Sequence, residues 1–487
     1  MGKATGFLEY NRKTAEERKP QERINDWGAF HPPLSEAEAK EQAARCMNCG
    51  IPFCHGGVAW RGIASGCTLG NLIPEWNDLV YRGQFEEAYK RLARTNPFPE
   101  FTGMVCPALC EGSCTTGLHG EPVAIKEIER FLSEQAWEKG WAVPHPPKER
   151  IGKTAAVVGS GPAGLAAAWK LNRAGVDVTV YEKSEKAGGL LMFGIPNMKL
   201  PKTMVERRIQ FFKDEGVTFI TGTDVGKDIT PKELTEKYDT VILCGGAGQP
   251  RDLTLDGRSL EGVGFAVPFL SEATRRVMDG DTDSKPLAGR DVIVIGGGDT
   301  GNDCVATSIR EGAKSVVQLE IMPPAPEKRT ADNPWPRWPL VLKTDYGQQE
   351  AIYLFGRDPR SFLTTATSFV GEDGHIKAIE TMEVEWVTEN GRRFPKPNEA
   401  TKKTYPADLV LLALGFTGFE SYLPEALGVT FDRAAHGTNL EGVFAAGDMR
   451  TGQSLVVRAA RDGLDAAEGA IKYLKNSSLK NLNLTNK

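Results

Sequence analysis

Twice along the chain a run of apolar residues breaks at a glycine-rich turn, continues as a striped helix and returns to a second apolar run ending on an acid. The first unit begins Ala155-Ala-Val-Val-Gly-Ser-Gly-Pro-Ala-Gly164 and reaches Asp177-Val-Thr-Val-Tyr-Glu182. The second begins Val292-Ile-Val-Ile-Gly-Gly-Gly-Asp-Thr-Gly301 and reaches Ser315-Val-Val-Gln-Leu-Glu320. Short apolar runs bounded by glycine read as buried strands, and strand–helix–strand in this order reads as a βαβ unit. A repeated βαβ unit predicts two nucleotide-binding folds in one chain. Two later runs, Ala407-Asp-Leu-Val-Leu-Leu-Ala-Leu-Gly415 and Val443-Phe-Ala-Ala-Gly-Asp448, read as buried strands returning to the first fold. The second fold is then an insertion into the first.

Residues 1–145 have a different rhythm. Amphipathic stretches at Glu36–Arg45, Phe85–Thr95 and Val123–Lys139 alternate with Gly and Pro breaks, which predicts a helical, loop-rich domain. The stiff polar segment Val143–Gly152 is the linker that ends it. The expected division is 1–145 for the helical domain, 151–283 with 406–475 for the first nucleotide fold, and 284–405 for the second. The class is α/β.

Composition narrows the partners. Of 487 residues 40% are hydrophobic and 25% charged, so the chain has enough apolar content for packed cores. A net charge of −5 argues against nucleic acid or anionic lipid. No apolar run approaches the roughly 18 residues of a spanning helix. The charged start, without an apolar signal core, leads us to expect a cytoplasmic protein.

Seven of nine cysteines crowd into one short region: Cys46, Cys49, Cys54, Cys67, Cys106, Cys110 and Cys114. Cys244 and Cys304 stand alone and read as small buried hydrophobes. An odd number at spacings of two to four residues suits metal or cluster ligation better than a disulfide framework. Zinc would explain the thiolates alone, in a stapled scaffold with vestigial nucleotide folds. Iron–sulfur clusters explain them together with two dinucleotide folds, because all three then serve electron transfer.

Two four-ligand clusters need eight ligands. On the helix Val123–Leu132 the stripe Ile125, Glu129, Leu132, Ala136 places Glu129 on the inward face, where a carboxylate needs a partner. An arginine or a cluster iron would serve, and the residues alone leave both open. His55, beside Cys54, reads as a loop histidine.

In the first fingerprint, Gly159, Ser160, Gly161, Ala163 and Gly164 form the turn that lets a pyrophosphate reach a helix N-terminus, and Glu182 can accept ribose hydroxyls. Gly189 and Leu190 just after it, and Gly447 and Asp448 late in the chain, point to a flavin dinucleotide, FAD. The second fingerprint has Gly296, Gly298, Asp299, Thr300 and Gly301, with Glu320 in the place of the ribose acid. A carboxylate there accepts from a free 2′-hydroxyl and repels a 2′-phosphate, which favours NADH. Lys328 and Arg329 could fold back onto a phosphate and allow NADPH. The tryptophans of Asn333–Trp338 are expected to pack a proline-rich loop over the nicotinamide site.

Longer matches are more specific than either fingerprint: Met1–Phe7, Asn71–Val80, Glu100–Pro107 and Gly194–Lys199. On these the chain resembles the small-subunit family of bacterial glutamate synthase over essentially its whole length. The resemblance implies an α-helical iron–sulfur domain with two 4Fe–4S clusters, followed by FAD and NAD(P)H domains of the disulfide-reductase type. Dihydropyrimidine dehydrogenase shares the module and implies a ligand partition. Cys46, Cys49, Cys54 and Cys114 would hold one cluster, and Cys67, Cys106 and Cys110 the other. Glu129 falls where that relative has a glutamine ligand. The implied partner is a large subunit carrying FMN, a 3Fe–4S cluster and a glutaminase site with an N-terminal cysteine. This chain starts Met1-Gly2, so glutamate formation is expected on that partner. A pyrimidine-reducing enzyme or a ferredoxin-linked transhydrogenase are the alternatives with the same module. No acid–base catalytic residue is expected here, because hydride transfer between stacked rings requires none.

Overall fold

The computed structural model describes residues 2–60, 63–431 and 434–485. Its first unit is a packed set of short helices. Glu36–Ala44 begins at a capping box, with the Ser35 side chain accepting from Glu38 N and Glu38 returning to Ser35 N. Ile73–Tyr81 and Pro99–Val105 each carry a proline in the first turn, where no N–H is missed. Ile125–Glu138 runs behind them. Trp76, Phe98, Phe101, Ile128 and Phe131 are fully buried between these helices. Each such side chain contributes about 1.5–3 kcal/mol on leaving water.

Two five-stranded parallel sheets follow. The first has the order Val443–Ala445, Thr240–Leu243, Thr154–Val158, Asp177–Glu182, Thr218–Thr221. The second has the order Arg360–Ser361, Ser315–Leu319, Asp291–Ile295, Leu409–Leu412, Val263–Phe265. Helices Ala266–Met278 and Asp299–Arg310 pack on one face of the second sheet. A three-stranded antiparallel sheet, Thr364–Glu372 with His375–Glu389 and Arg392–Pro406, covers its other face through Phe369, Ile376 and Ile379.

Here the structure differs from the expected boundaries. Leu409–Leu412 does not return to the first sheet but lies between Asp291–Ile295 and Val263–Phe265 in the second. The inserted unit therefore starts before residue 284 and ends after 405. A buried apolar strand carries no mark of which sheet it joins. The crossing between units is made by an antiparallel ribbon of Gln249–Pro250 with Phe416–Gly418. Among the described residues Val443–Ala445 is the strand that returns to the first sheet, residues 419–431 pack on that sheet through Leu423 and Val429, and a long helix closes the unit.

That helix, Val456–Thr485, packs along Pro162–Arg173. The approach is close: a side chain at Gly463 would meet the Ala163 carbonyl oxygen at 2.0 Å. Buried ion pairs tie the units together. Arg208 of Lys202–Asp214 grips Glu100 of the cysteine-rich unit, with Nη2 2.9 Å from Oε2. Glu350 is held by Arg23 at 2.7 Å and Arg310 at 2.6 Å, which straps the N-terminal segment to the inserted unit. No helix among the described residues is long and apolar enough to cross a membrane.

Candidate functional site: two cysteine cavities beside a fingerprint turn

The clustered cysteines line two separate cavities. Cys46, Cys49, Cys54 and Cys114 surround a small one, walled by Asn77, Ile73 and Val123. Cys67, Cys106 and Cys110 surround the other, together with Glu129, Lys126, Asn71, Thr102 and Val457. All nine cysteines are free thiols. Among the described residues, no three of His, Cys, Asp or Glu close on a single point as ligands of one ion would. The thiols stand around a space instead. His55 is half-buried and lines neither cavity.

Local backbone explains how residues four apart reach different cavities. Ala108, at φ 65°, turns the chain into the single helical turn Leu109–Gly112, which carries Cys110. Ser113 ends that turn, and Cys114 begins another after it. Ser113 is fixed by its hydroxyl, 2.6 Å from the Pro336 carbonyl. Asn48, also left-handed at φ 47°, makes the bend between Cys46 and Cys49.

Burial works against unpartnered thiolates here. It pushes the Cys46 thiol up to about 11 and the Cys67 thiol up to about 11, against backbone N–H groups of Asn48, Asn71, Leu69 and Gly70 that pull the other way. Burial likewise lifts Cys106 to about 12 and raises Cys54 and Cys110 well above the usual thiol range. A buried thiolate needs a cation, and N–H donors aimed at sulfur are the arrangement that tunes an iron–sulfur cluster. The donor set therefore fits a cluster in each cavity.

Glu129 is buried, and burial raises its carboxyl to about 7. Asn96 Nδ2 donates to its Oε1 at 3.0 Å, and the Thr102 hydroxyl donates to the same oxygen. The arginine partner left open by the sequence is not what meets it; both donors are neutral. The Asn77 amide is fully buried in the wall of the first cavity, where it faces the Cys46 thiol and pulls against the effect of burial.

The first fingerprint lies where the 456–485 helix crosses it. Gly159 has φ +100°, and a side chain there would meet the Cys244 carbonyl oxygen at 2.3 Å. Gly164 lies so close to the Gly159 carbonyl that a Cβ would sit 1.9 Å from it. Gly161 caps Pro162–Arg173, and Ala163 follows the proline in the first turn, whose N–H groups have no intrahelical partner. Glu182 accepts from Ser160 N at 3.1 Å and Ser184 N at 2.8 Å, while the Ser160 hydroxyl also accepts Gly188 N at 2.8 Å. Gly189 backs onto Gly161, Leu190 is exposed, and Gly447 abuts Ala163. Asp448 accepts from the Ser454 hydroxyl at 2.7 Å. Burial raises the Asp448 carboxyl above its usual range.

The second fingerprint repeats the turn. Gly296 has φ +129° against the Ala413 carbonyl oxygen, and Gly301 sits against Gly296. Gly298 caps Asp299–Arg310, with Asp299 and Thr300 in its first turn. Glu320 curls over this turn close to Gly297 and accepts from Met322 N at 2.8 Å. Arg329 does not fold back toward it. Its guanidinium donates to the carbonyls of Arg337 at 2.6 Å and Gly112 at 2.8 Å.

The tryptophan loop goes elsewhere than expected. Trp335 packs on Phe53 with ring centroids 4.8 Å apart, and Trp338 N bonds Ala64 O at 2.9 Å. The loop is a clasp on the cysteine-rich unit, joined to it by the Arg329–Gly112 bond. Sequence reasoning missed Lys126, Asn77, Val457 and Gly463. The signal for Lys126 was its place three residues before Glu129, on one helix face.

Comparisons with known proteins agree with this layout. Residues 23–141 match the family described as dihydropyrimidine dehydrogenase domain II, 4Fe-4S cluster, and residues 153–334 match pyridine nucleotide-disulphide oxidoreductase. The glutamate synthase (NADPH) small chain of Bacillus subtilis is 49% identical over 491 residues, covering 98% of this chain and 100% of that one. The glutamate synthase (NADH) of Schizosaccharomyces pombe is 46% identical over 482 residues, covering 96% of this chain and 22% of that longer protein. The structure of Mycobacterium tuberculosis FprA in complex with NADPH has 21% identity and a TM-score of 0.52, covering 67% of this chain and 86% of that one, and it shows the fold. A likeness of this strength running end to end through both chains, across cysteine cavities and fingerprints alike, places the chain in the glutamate synthase small-chain family of oxidoreductases.

Proposed function

We propose that this chain is the small subunit of a cytoplasmic glutamate synthase. In this reading it oxidises NAD(P)H at FAD and sends electrons through two 4Fe–4S clusters to a large, FMN-containing subunit that makes glutamate from glutamine and 2-oxoglutarate. One observation carries it. The helix that lines the second cavity with Val457 presses Gly463 onto the fingerprint helix, so a cysteine-lined cavity and a dinucleotide turn share one wall.

FAD bound there would accept a hydride from the nicotinamide and give up electrons singly, which the clusters can carry onward. The chain's own residues divide the remaining work. Cys46, Cys49, Cys54 and Cys114 would hold one cluster, and Cys67, Cys106, Cys110 and Glu129 the other. Asn96 and Thr102 orient the Glu129 carboxylate. The turns at Gly159–Gly164 and Gly296–Gly301 present helix N-termini to the pyrophosphates. Glu182 and Glu320 accept ribose hydroxyls. Glu320 also repels a 2′-phosphate, and Arg329 is spent on backbone carbonyls, which supports NADH at the second site; exposed Lys328 is the cation that would serve NADPH.

The test is anaerobic purification with iron and flavin analysis, then assays with and without the large subunit. The expected result is a coloured protein that reduces artificial acceptors with NAD(P)H and makes glutamate only with its partner. Colourless, iron-free protein would end the reading. Uracil-dependent NAD(P)H oxidation would favour the pyrimidine-reducing alternative, to which the match at residues 23–141 also speaks. Kinetics with both nucleotides on wild type and Glu320→Ala check the nucleotide preference, which the substitution should relax.

A further inference from the structure

The two cavities differ in one charged residue that no ligand count requires. Among the described residues lining them, Lys126 is the one cation, and it lines the second cavity. It sits in the first turn of Ile125–Glu138, one turn before Glu129 and on the same face.

Its surroundings leave its charge uncommitted. The nearby Glu111 carboxylate is taken by Arg12 at 2.7 Å and by the Lys126 backbone N–H at 2.9 Å. Glu127 is taken by His31 at 2.8 Å. The Lys126 ammonium itself has no hydrogen bond or ion pair among the described residues. The groove on its outer side carries the cations Arg12, Arg329 and Lys343, and its third carboxylate, Glu17, is paired with Arg23 at 3.1 Å. Repulsion on that side and thiolates with a carboxylate on the other both favour the cavity.

We propose that Lys126 is an electrostatic tuner of the cluster in the second cavity, favouring its reduced form and so making it the acceptor for electrons leaving the flavin. The inference rests on the functional reading above. The chemistry is a charge balance. One electron added to a cluster makes the cluster and its four anionic ligands more negative by one unit, with no bond formed or broken. A fixed cation at the wall stabilises that state more than the oxidised one, and low-dielectric surroundings magnify the difference.

The experiment is a potentiometric titration, followed by electron paramagnetic resonance, of the full chain purified anaerobically. Wild type is compared with Lys126→Gln, Lys126→Met and Lys126→Arg. In the neutral variants one of the two cluster equilibria should move toward the oxidised form by about tenfold, equal to about 59 mV for one electron. The other should stay put, and Lys126→Arg should restore the wild-type value. Intact clusters with unmoved potentials overturn the inference alone. So does loss of the cluster from both neutral variants, or failure of Lys126→Arg to restore. Wild-type protein without iron sinks the functional reading and this inference with it.

Discussion

The cysteine-rich unit holds two small cavities of equal size, about 20 Å³ each, with unlike walls. The first offers four thiols and a neutral amide, Asn77. The second offers three thiols, a carboxylate and an ammonium, and shares Val457 with the helix of the flavin unit. Equal volume with unequal charge means that the pair is not a duplication doing the same thing twice. Among the described residues the first wall carries no charged side chain and takes no residue from the flavin unit. The second is charged and takes Val457 from the helix that crosses the fingerprint, and Glu100 with Arg208 ties the two units together.

The largest expected effect separates the two by removal. Cys54→Ala and Cys110→Ala should each halve bound iron and abolish glutamate formation by the complex, while flavin bleaching by NAD(P)H in stopped flow persists in both. Equal loss of all iron from either variant would show that the cavities assemble as one unit. Next comes the tie between units. Arg208→Met leaves Glu100 buried without its cation, which costs about 3–5 kcal/mol. Chemical denaturation should show that loss, and a change under 1 kcal/mol would mean that the Glu100 carboxylate reaches water.

Glu129→Ala tests the unlike ligand. The second cluster should shed one iron on mild oxidation and give a three-iron resonance, with the first cluster untouched. An unchanged spectrum would return Glu129 to a structural role. The smallest effect concerns the plain wall. Asn77→Leu deletes a buried amide donor, so the first cluster should become harder to reduce by less than tenfold, and the second should not move. A shift in both clusters would erase the contrast drawn here.

Much of this was legible in the residues. The fingerprint turns are local, set by positive φ at Gly159 and Gly296 and by apolar runs on either side, so pattern alone located them. The strand Leu409–Leu412 was equally visible, yet its sheet depends on a long-range pairing with Asp291–Ile295 that no local pattern encodes. Cys110 and Cys114 show the same limit at short range. Their spacing suggests one site, but the break at Ser113 sends them to different cavities, and Ser113 is set by a carbonyl at Pro336, more than two hundred residues away. Arg329 and the tryptophans could be read as nucleotide contacts because sequence does not disclose that a loop reaches back to Gly112 and Ala64. Lys126 drew no notice in the sequence, since its importance comes from neighbours that are already paired.

The shared helix has a mechanical consequence. Electron tunnelling falls off exponentially with distance, so a donor and acceptor carried on separate bodies would suffer rate fluctuations whenever one body swung. Here a single rigid rod bears the wall of one compartment at Val457 and the seat of the other at Gly463. The gap that the electron must cross is therefore set by one helix and not by a joint between bodies.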